Sequence, residues 1–161
     1  MNCYSDLPYP KVESDAPNLK DAMIIRETYA GSVSETTAIL GYIYDHLILD
    51  EIDSDIAAVM KKIAISEMRH LELLGDAIVA LGGDPIYYGM RYPFSGSYVT
   101  YRKAVRPILM SRIAGEKSAI RGYRHAIAHL SNESAKALLE RIIIDEEIHI
   151  DVLEDMLRSI S

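Results

Sequence analysis

The chain has 161 residues, enough for one domain with a hydrophobic core and too few for two comfortable ones. Hydrophobic residues make up 49% of the sequence, with only 9 Gly and 6 Pro, which favours helices in a compact chain. The net charge of −7 without a basic cluster argues against nucleic-acid or anionic-membrane partners, and no apolar run is long enough to span a membrane.

Residues 1–17 contain three prolines in a polar setting, which predicts an extended N-terminal strap ahead of a single domain over residues 18–161. The N-terminus has neither the basic start nor the apolar segment of a secretory signal, so we expect a cytoplasmic protein. Cys3 is the only cysteine, which excludes a disulfide within one chain and any CxxC metal site.

The first helix is predicted to begin near Asn18, a suitable N-cap, and to run to about Leu49. Residues 50–53 then form a turn. The inward face of this helix is predicted to contain Ile24, Thr28, Val33, Glu35, Ala38, Ile39, Tyr42 and His46.

The second helix is predicted from Ser54 to Leu81, where apolar residues recur at helical spacing. Two glycines and a proline within residues 82–85 end it. The segment from residue 84 to about 101 has no helical period and is long enough to cross from one end of a bundle to the other.

This crossover holds six of the twelve aromatic residues of the chain, namely Tyr87, Tyr88, Tyr92, Phe94, Tyr98 and Tyr101. We interpret them as fastening the loop to the bundle or to a second subunit. A redox or substrate-gating role is the alternative, and we do not prefer it.

The third helix is predicted over about residues 102–130, and its start can slip to Val105 because Pro107 fits only the first turn. The fourth helix follows over about residues 133–160. The sequence therefore predicts an all-α protein, an antiparallel four-helix bundle with one long crossover between helices 2 and 3.

Two motifs recur along the chain. ISEMRHLE at residues 65–72 and IDEEIHID at residues 144–151 both contain Glu-x-x-His, and ETTAILGY at residues 35–42 resembles EKSAIRGY at residues 116–123. On a helix, a three-residue spacing places two side chains about 60° apart around the axis and about 4.5 Å apart along it. Each Glu-x-x-His is therefore a candidate pair of metal ligands.

The repeats define six candidate metal ligands: Glu35, Glu67, His70, Glu116, Glu146 and His149. Four carboxylates on inward faces would each lose several kcal/mol to desolvation unless a cation paired them. No inward lysine or arginine recurs with the motifs, so metal ions are the expected counter-charge. Oxygen and imidazole ligands without thiolate indicate two iron or two manganese ions, with zinc as a misincorporated ion.

The segments ETTAILGY, EMRHLELLGDAIVALGGDP, EKSAIRGY and DEEIHIDVLEDML together resemble the ferritin-like di-metal carboxylate superfamily over about residues 18–160. This superfamily includes bacterioferritins, rubrerythrins, manganese catalases and spore-coat relatives. The resemblance implies that Glu67 and Glu146 lie between two metals, that Glu35 and Glu116 bind as outer carboxylates, and that His70 and His149 bind one metal each. For manganese catalases it also implies that Glu146 acts as an acid/base group outside the ligand set.

Three neighbours of these motifs are further candidates. Tyr42 and Tyr123 follow Glu35 and Glu116 by seven residues, so they either hydrogen-bond the carboxylates and line the substrate route, with a catalytic role, or are ordinary core tyrosines. Asp145 is expected to orient a histidine on a facing helix, and a surface aspartate is the alternative.

Met68 stands where bacterioferritins resembling this stretch place a haem-ligating methionine. One methionine beside a metal motif usually packs, so we expect no haem. His46, His125 and His129 have no repeated counterpart and are interpreted as structural or surface residues. Ala119 replaces an extra glutamate of rubrerythrins, and the rubredoxin cysteines are absent, which excludes a built-in electron donor of that kind.

Three functions are compatible with these motifs. The first hypothesis is an oxidoreductase that acts on hydrogen peroxide or dioxygen, of the catalase or peroxidase type. The second is a ferroxidase that oxidises Fe(II) for storage in a multi-subunit shell, and the third is a coat or scaffold protein with a structural di-metal site. We expect a homo-oligomer, a dimer or larger, and the spore-coat relatives add the coat as an alternative location.

Overall fold

The structure, a computed structural model, describes residues 3–160; residues 1 and 2 of the predicted strap and residue 161 of the predicted domain lie outside it. Five α-helices and one short 3-10 helix make up its regular structure: α1 Leu19–Ala30, α2 Glu35–Leu49, α3 Ser54–Ala80, the 3-10 helix Gly96–Tyr98, α4 Val105–His129 and α5 Glu133–Ser159. α1 and α2 together form the first of four rods. The predicted four-helix bundle with a long crossover between its second and third rods is therefore confirmed. No helix within residues 3–160 is long and apolar enough to cross a membrane.

The first rod differs from the prediction, because the single helix expected from Asn18 to Leu49 is interrupted at residues 31–34. Gly31 ends α1 in extended backbone, and α2 begins four residues later. Val33, which was predicted to face inward, lies in the interruption and is 47% exposed. A glycine followed by two serines within three residues is a signal for a break. The regular spacing of apolar residues on either side concealed it.

Hydroxyl groups satisfy the backbone that the interruption leaves unpaired. The Ser34 side chain caps α2 by accepting a hydrogen bond from the backbone N–H of Thr37 at 3.3 Å. The Thr36 hydroxyl donates to the carbonyl of Tyr29 at 2.8 Å, and the Thr37 hydroxyl donates to that of Gly31 at 3.3 Å. The break is thus a defined turn, and it places Glu35 in the first turn of a helix.

The other three rods agree with the sequence patterns. α3 ends one residue before the predicted position, and Gly82 follows with a φ of 81°, a left-handed conformation that glycine adopts without strain. α4 begins at Val105, so that Pro107 lies in its first turn. α5 begins at Glu133, capped by the side chain of Asn132.

Two apolar clusters fill the bundle, one toward each end. The first includes Ile25, Leu74, Ile78, Tyr123, Leu138 and Ile142, and the second includes Tyr42, Leu49, Met60, Ile63, Leu109 and Leu153. Along α3, buried apolar residues of the second cluster end at Ala64, those of the first begin at Leu74, and Glu67 and His70 lie between them. The core is therefore divided at mid-height by a buried polar layer.

The segment over residues 3–17 contains no helix and is fastened to α5. Arg141 donates hydrogen bonds to the backbone oxygens of Ser5 at 2.8 Å and Leu7 at 3.0 Å. Its guanidinium carbon also lies 4.2 Å from the centre of the Tyr9 ring. One buried arginine thus holds the segment against the bundle beside the polar layer.

The crossover contacts the first rod through two of its aromatic residues. Tyr87 stacks on Tyr29 of α1 with ring centres 5.5 Å apart. Tyr101 packs edge-on against Tyr44 of α2 at 4.9 Å. These contacts fasten the loop to the bundle, which is the role we prefer for them.

Candidate metal centre

All four rods contribute side chains to the polar layer. Glu35 comes from α2, Glu67 and His70 from α3, Glu116 from α4, and Glu146 and His149 from α5. Each of the six is at most 4% exposed. The structure thus brings together all six residues that the repeats single out, although they span more than a hundred residues of sequence.

His70 faces three carboxylates. Its Nδ1 atom lies 3.0 Å from Oε2 of Glu67, 3.4 Å from Oε1 of Glu146 and 3.7 Å from Oε2 of Glu35. The carboxylates come from three different rods. One cation at their meeting point would contact one nitrogen and three oxygens.

His149 has matching surroundings. Its Nδ1 atom lies 2.9 Å from Oε2 of Glu146, 3.2 Å from Oε1 of Glu67 and 3.8 Å from Oε1 of Glu116. Glu67 and Glu146 therefore each direct one oxygen toward each histidine. The ligand atoms form two sets that share these two glutamates, and within each set they lie within 4.8 Å of one another.

Two buried tyrosines hold the outer carboxylates in a crossed pattern. The hydroxyl of Tyr42, on the same helix as Glu35, donates to Oε1 of Glu116. The hydroxyl of Tyr123, on the same helix as Glu116, donates to Oε1 of Glu35. Burial, followed by the charges of Glu116 and Glu67, raises the pKa of Tyr42, so this hydroxyl keeps its proton and remains a donor.

Asp145 orients the His70 ring. Its Oδ2 atom lies 3.1 Å from Nε2 of His70 and accepts a hydrogen bond from the Tyr9 hydroxyl at 2.6 Å. Its Oδ1 atom accepts from the backbone N–H of Ser5 at 2.7 Å and lies 2.9 Å from the Arg141 guanidinium. Burial acts to raise the pKa of Asp145, but these hydrogen bonds outweigh it and lower the pKa. The resulting carboxylate keeps Nδ1 of His70 pointed at the glutamates.

The charges of the layer are strongly coupled. Burial raises the pKa of Glu35 and of Glu116, and the nearby charges of Glu67 and Glu146 raise both further. In the absence of a cation these two outer carboxyls therefore hold protons well above the pH at which glutamate ordinarily ionises.

The shared glutamate Glu67 and the two histidines have pKa shifts that favour their charged forms. Burial acts to raise the pKa of Glu67, but the charge and hydrogen bonds of His149 and His70 outweigh it and lower the pKa. Burial acts to lower the pKa of both histidines, and the surrounding carboxylates outweigh it and raise the pKa of each. Protons on the imidazoles thus stand in for the positive charge that two metal ions would supply.

The residues present fit such ions. Oε2 of Glu35 and Oε1 of Glu67 are buried without a hydrogen-bond partner within residues 3–160, although each lies near a histidine nitrogen. Buried polar atoms of this kind are rare unless something binds them. Four carboxylates and two imidazoles form a donor set that suits iron or manganese.

Small cavities connect this layer with the interruption of the first rod. A cavity of about 20 Å³ adjoins the carboxylates, large enough for about one water molecule. A second cavity of about 310 Å³ lies at the surface. Both are lined by Val33, Ser34, Ala38, Glu116 and Ala119. The two cavities are therefore neighbours, and both lie beside the break between α1 and α2.

One methionine and three histidines of the sequence motifs and helices have side chains outside the polar layer. Met68 is 46% exposed on α3, and the expectation that it binds no haem stays a prediction. Nδ1 of His46 lies 3.0 Å from the backbone oxygen of Ala57, and the rings of His125 and His129 pack against each other on an exposed part of α4.

Sequence reasoning missed two residues that support the layer, Tyr9 and Arg141. Arg141 precedes Asp145 by four residues, a spacing at which helical side chains meet, and this was a usable signal. Tyr9 is 136 residues from Asp145 and has no repeated counterpart, so no local pattern identifies it.

Comparisons with known proteins agree with this geometry. Residues 9–157 match the rubrerythrin family. The chain is 32% identical to a bacterioferritin of Desulfovibrio desulfuricans over 141 residues, 85% of this chain and 75% of that protein. A solved structure of bacterioferritin from that organism, with a diiron site, is similar with a TM-score of 0.75 at 30% identity, covering 88% of this chain and 80% of the other. The manganese catalase KatB from Anabaena is similar with a TM-score of 0.89 at 23% identity, covering 100% and 81%, a likeness that shows the fold alone.

Proposed function

We propose that this chain, which belongs to the rubrerythrin family of ferritin-like proteins, is a ferroxidase that oxidises Fe(II) with dioxygen or hydrogen peroxide. The observation on which this rests most directly is that Glu67 and Glu146 each offer one oxygen to each half of the centre. Two ions held by shared carboxylates lie close enough to act on one small oxidant. Bacterioferritin relatives at 32% identity favour this function over the catalase or peroxidase chemistry that is the first hypothesis from the motifs.

The ligand assignment follows the two sets of side chains. Glu35 and His70 would hold one ion, Glu116 and His149 would hold the other, and Glu67 and Glu146 would be shared by both. Two Fe(II) ions bound there as substrate would supply the two electrons that, together with two protons, reduce peroxide to water or dioxygen to peroxide.

The chain's own groups manage protons and access. The raised pKa values of Glu35 and Glu116 mean that each releases a proton when a cation takes its place. The Tyr123 hydroxyl holds Oε1 of Glu35 and leaves Oε2, the oxygen nearer His70, for a cation. The Tyr42 hydroxyl holds Oε1 of Glu116, which is also the oxygen that faces His149. The inner cavity of about 20 Å³ adjoins the carboxylates, and its small size favours small oxidants such as dioxygen or peroxide over larger ones.

Iron is the metal that this function requires, and manganese is the alternative for the same donors. Zinc would occupy the centre without turnover, because it has no redox chemistry. A direct test mixes anaerobic protein and two Fe(II) per chain with oxygenated buffer and follows ferric absorbance. We expect faster oxidation than in buffer alone and a break in the titration at two Fe(II) per chain. Oxidation at the protein-free rate would contradict the proposal.

Peroxide disproportionation by a manganese-loaded centre is the second candidate. The small inner cavity favours a small substrate, and disproportionation needs no external electron donor. Oxygen evolution from hydrogen peroxide by manganese-loaded protein, together with no acceleration of Fe(II) oxidation, would support this function over the first. Retention of metal without either activity would support the coat or scaffold function.

We further propose that the chain forms a homo-oligomer. Leu40 and Leu47 lie seven residues apart on α2 and are 45% and 66% exposed, and Leu19 and Met23 on α1 are 57% and 44% exposed. Large exposed apolar side chains, such as Leu40 and Leu47 two turns apart on one helix, are typical of a surface that a second subunit covers. For iron storage we expect a particle of 24 subunits by light scattering, whereas a dimer would favour the enzyme functions without storage.

A further inference from the structure

We infer that the two metal positions are not equivalent: the position at His70 binds its ion more tightly, and the position at His149 is the exchangeable one. This inference rests on the two-metal assignment made under the proposed function and is independent of the reaction. It depends on how each histidine is held on the side facing away from the centre.

The His70 ring is held by a charged residue. Nε2 of His70 lies 3.1 Å from Oδ2 of Asp145, a fully buried carboxylate. The N-terminal segment and α5 hold that carboxylate in turn, through the Ser5 N–H, the Tyr9 hydroxyl and the Arg141 guanidinium. Four groups from three parts of the chain therefore converge on Asp145.

The corresponding support is missing at His149. The 79-residue repeat places Ser66 at the position of Asp145 and Lys62 at that of Arg141. The Ser66 hydroxyl donates to the backbone oxygen of Cys3 at 3.4 Å, and Lys62 is exposed. Nε2 of His149 is buried, and within residues 3–160 it has no hydrogen-bond partner. The two halves of the centre share their ligand types but differ in this support.

This difference has a known physical consequence. A carboxylate on the remote nitrogen of a metal-binding histidine fixes its tautomer and ring orientation and makes the other nitrogen a stronger donor. Loss of such a partner typically weakens metal binding by about 10–100-fold. A water molecule, as a neutral acceptor, would replace only part of this effect.

For a ferroxidase, the difference in affinity implies that the two metal positions bind their ions in a fixed order. The first ion enters among Glu35, Glu67, His70 and Glu146, and the second completes the centre at His149 and Glu116. The weaker position is then the one from which an oxidised ion leaves and to which the next Fe(II) binds. The strong position keeps the two shared glutamates ordered in the meantime.

Equilibrium dialysis of metal-free protein against Co(II), which needs no turnover, tests the inference. We expect two classes of binding that differ by about 10-fold or more. His149→Ala should retain one ion close to the tight affinity, whereas His70→Ala should lose the tight class. Equal affinities in the unaltered protein, or loss of the tight class in His149→Ala with retention in His70→Ala, would overturn the inference.

Two further variants test the support itself. Asp145→Asn should weaken the tight class by about 10-fold or more and leave the weak class unchanged. Ser66→Asp should tighten the weak class, and circular dichroism checks that the variants are folded. If Ser66→Asp does not fold, Asp145→Asn decides, and an unchanged tight class there would contradict the inference. Unaltered protein that binds no Co(II) would instead contradict the two-metal assignment, so the two failures are distinguishable.

Discussion

At the scale of residues, Glu67 and Glu146 have the most constrained positions in the centre. Each contacts both histidines, one with each carboxylate oxygen. The other four candidate ligands each serve one half of the centre. Loss of a shared glutamate should therefore affect both ions, and loss of an outer one should affect a single ion.

The pair Glu146→Gln and Glu147→Gln tests the role of the shared carboxylate within one turn of one helix. Glu146 is 1% exposed in the centre, whereas the side chain of its neighbour Glu147 is 57% exposed. We expect Glu146→Gln to bind fewer than two ions per chain, because the amide removes the negative charge between them. Glu147→Gln should bind two, as measured by elemental analysis after dialysis. Equal metal content in the two variants would contradict the assignment.

The pH dependence of metal-free protein is a second residue-scale prediction. The pKa values of Glu35 and Glu116 are raised above 4.5, and those of His70 and His149 above 6.5. The folded state therefore binds more protons than the unfolded state above these values, and the free energy of unfolding falls as pH rises. Each such group contributes up to about 1.4 kcal/mol per pH unit. The carboxylates with lowered pKa values titrate in more acidic solution and do not oppose this trend.

Thermal melts between about pH 6.5 and pH 9 should thus show a falling Tm for metal-free protein. Metal ions replace the protons, so the Tm difference between loaded and metal-free protein should widen over the same range. If the Tm of the metal-free protein instead rises with pH, these two glutamates and two histidines do not have raised pKa values.

The sequence predicts the six candidate ligands because the chain repeats them, and the structure places all six in one layer. It does not predict the Tyr9 and Arg141 support of Asp145 in the same way. The support occurs in one half only, so repetition does not reveal it; the four-residue spacing of Arg141 and Asp145 is a local signal, whereas Tyr9 lies 136 positions from Asp145 and has none.

At the scale of elements, three rods follow from apolar periodicity and from proline and glycine signals, whereas the first rod does not. Its apolar residues keep helical spacing on both sides of residues 31–34, so periodicity alone predicts one helix. The hydroxyl contacts of Thr36 and Thr37 stabilise the break, and these depend on three-dimensional proximity. The match to the rubrerythrin family confirms the resemblance to ferritin-like proteins.

The repeat supplies a matched test of helix packing. Gly41 and Gly122 occupy equivalent positions on α2 and α4, 81 residues apart. A Cβ atom at Gly41 would lie 2.7 Å from Cζ of Arg112, whose guanidinium pairs with buried Asp45, whereas a Cβ at Gly122 meets no atom within 4 Å. We expect Gly41→Ala to destabilise the protein by about 1–3 kcal/mol through overpacking.

Gly122→Ala should be neutral or stabilise by up to about 1 kcal/mol, because alanine is the better helix former. Urea unfolding of both variants measures the difference. Equal effects at the two glycines would show that the Arg112 contact does not restrict this position.

At the scale of the whole molecule, two apolar clusters enclose a charged layer, and exposed apolar residues lie along the first rod. The enclosed layer explains why metal should stabilise the fold, because the binding free energy adds to that of folding. The exposed residues bear on assembly, which the sequence predicts only in general terms. Complementarity between two subunit surfaces produces no periodic pattern in the sequence.

Charged substitutions on the first rod test the assembly. Leu40→Glu combined with Leu47→Glu should shift the mass measured by light scattering toward the 18.0 kDa of one chain, because burying two carboxylates in an interface is costly. Val79→Glu, at a 58% exposed position near the end of α3, is the control and should retain the mass of the unaltered protein. An unchanged mass in the double variant would exclude this face as the interface.

Anomalous diffraction from crystals of iron-loaded protein, collected on both sides of the iron absorption edge, tests the ligand assignment most directly. We predict two peaks within the bundle, one among Glu35, Glu67, His70 and Glu146 and the other among Glu67, Glu116, Glu146 and His149. Iron-loaded crystals with no peak at this layer, or with iron bound only elsewhere on the chain, would contradict the account.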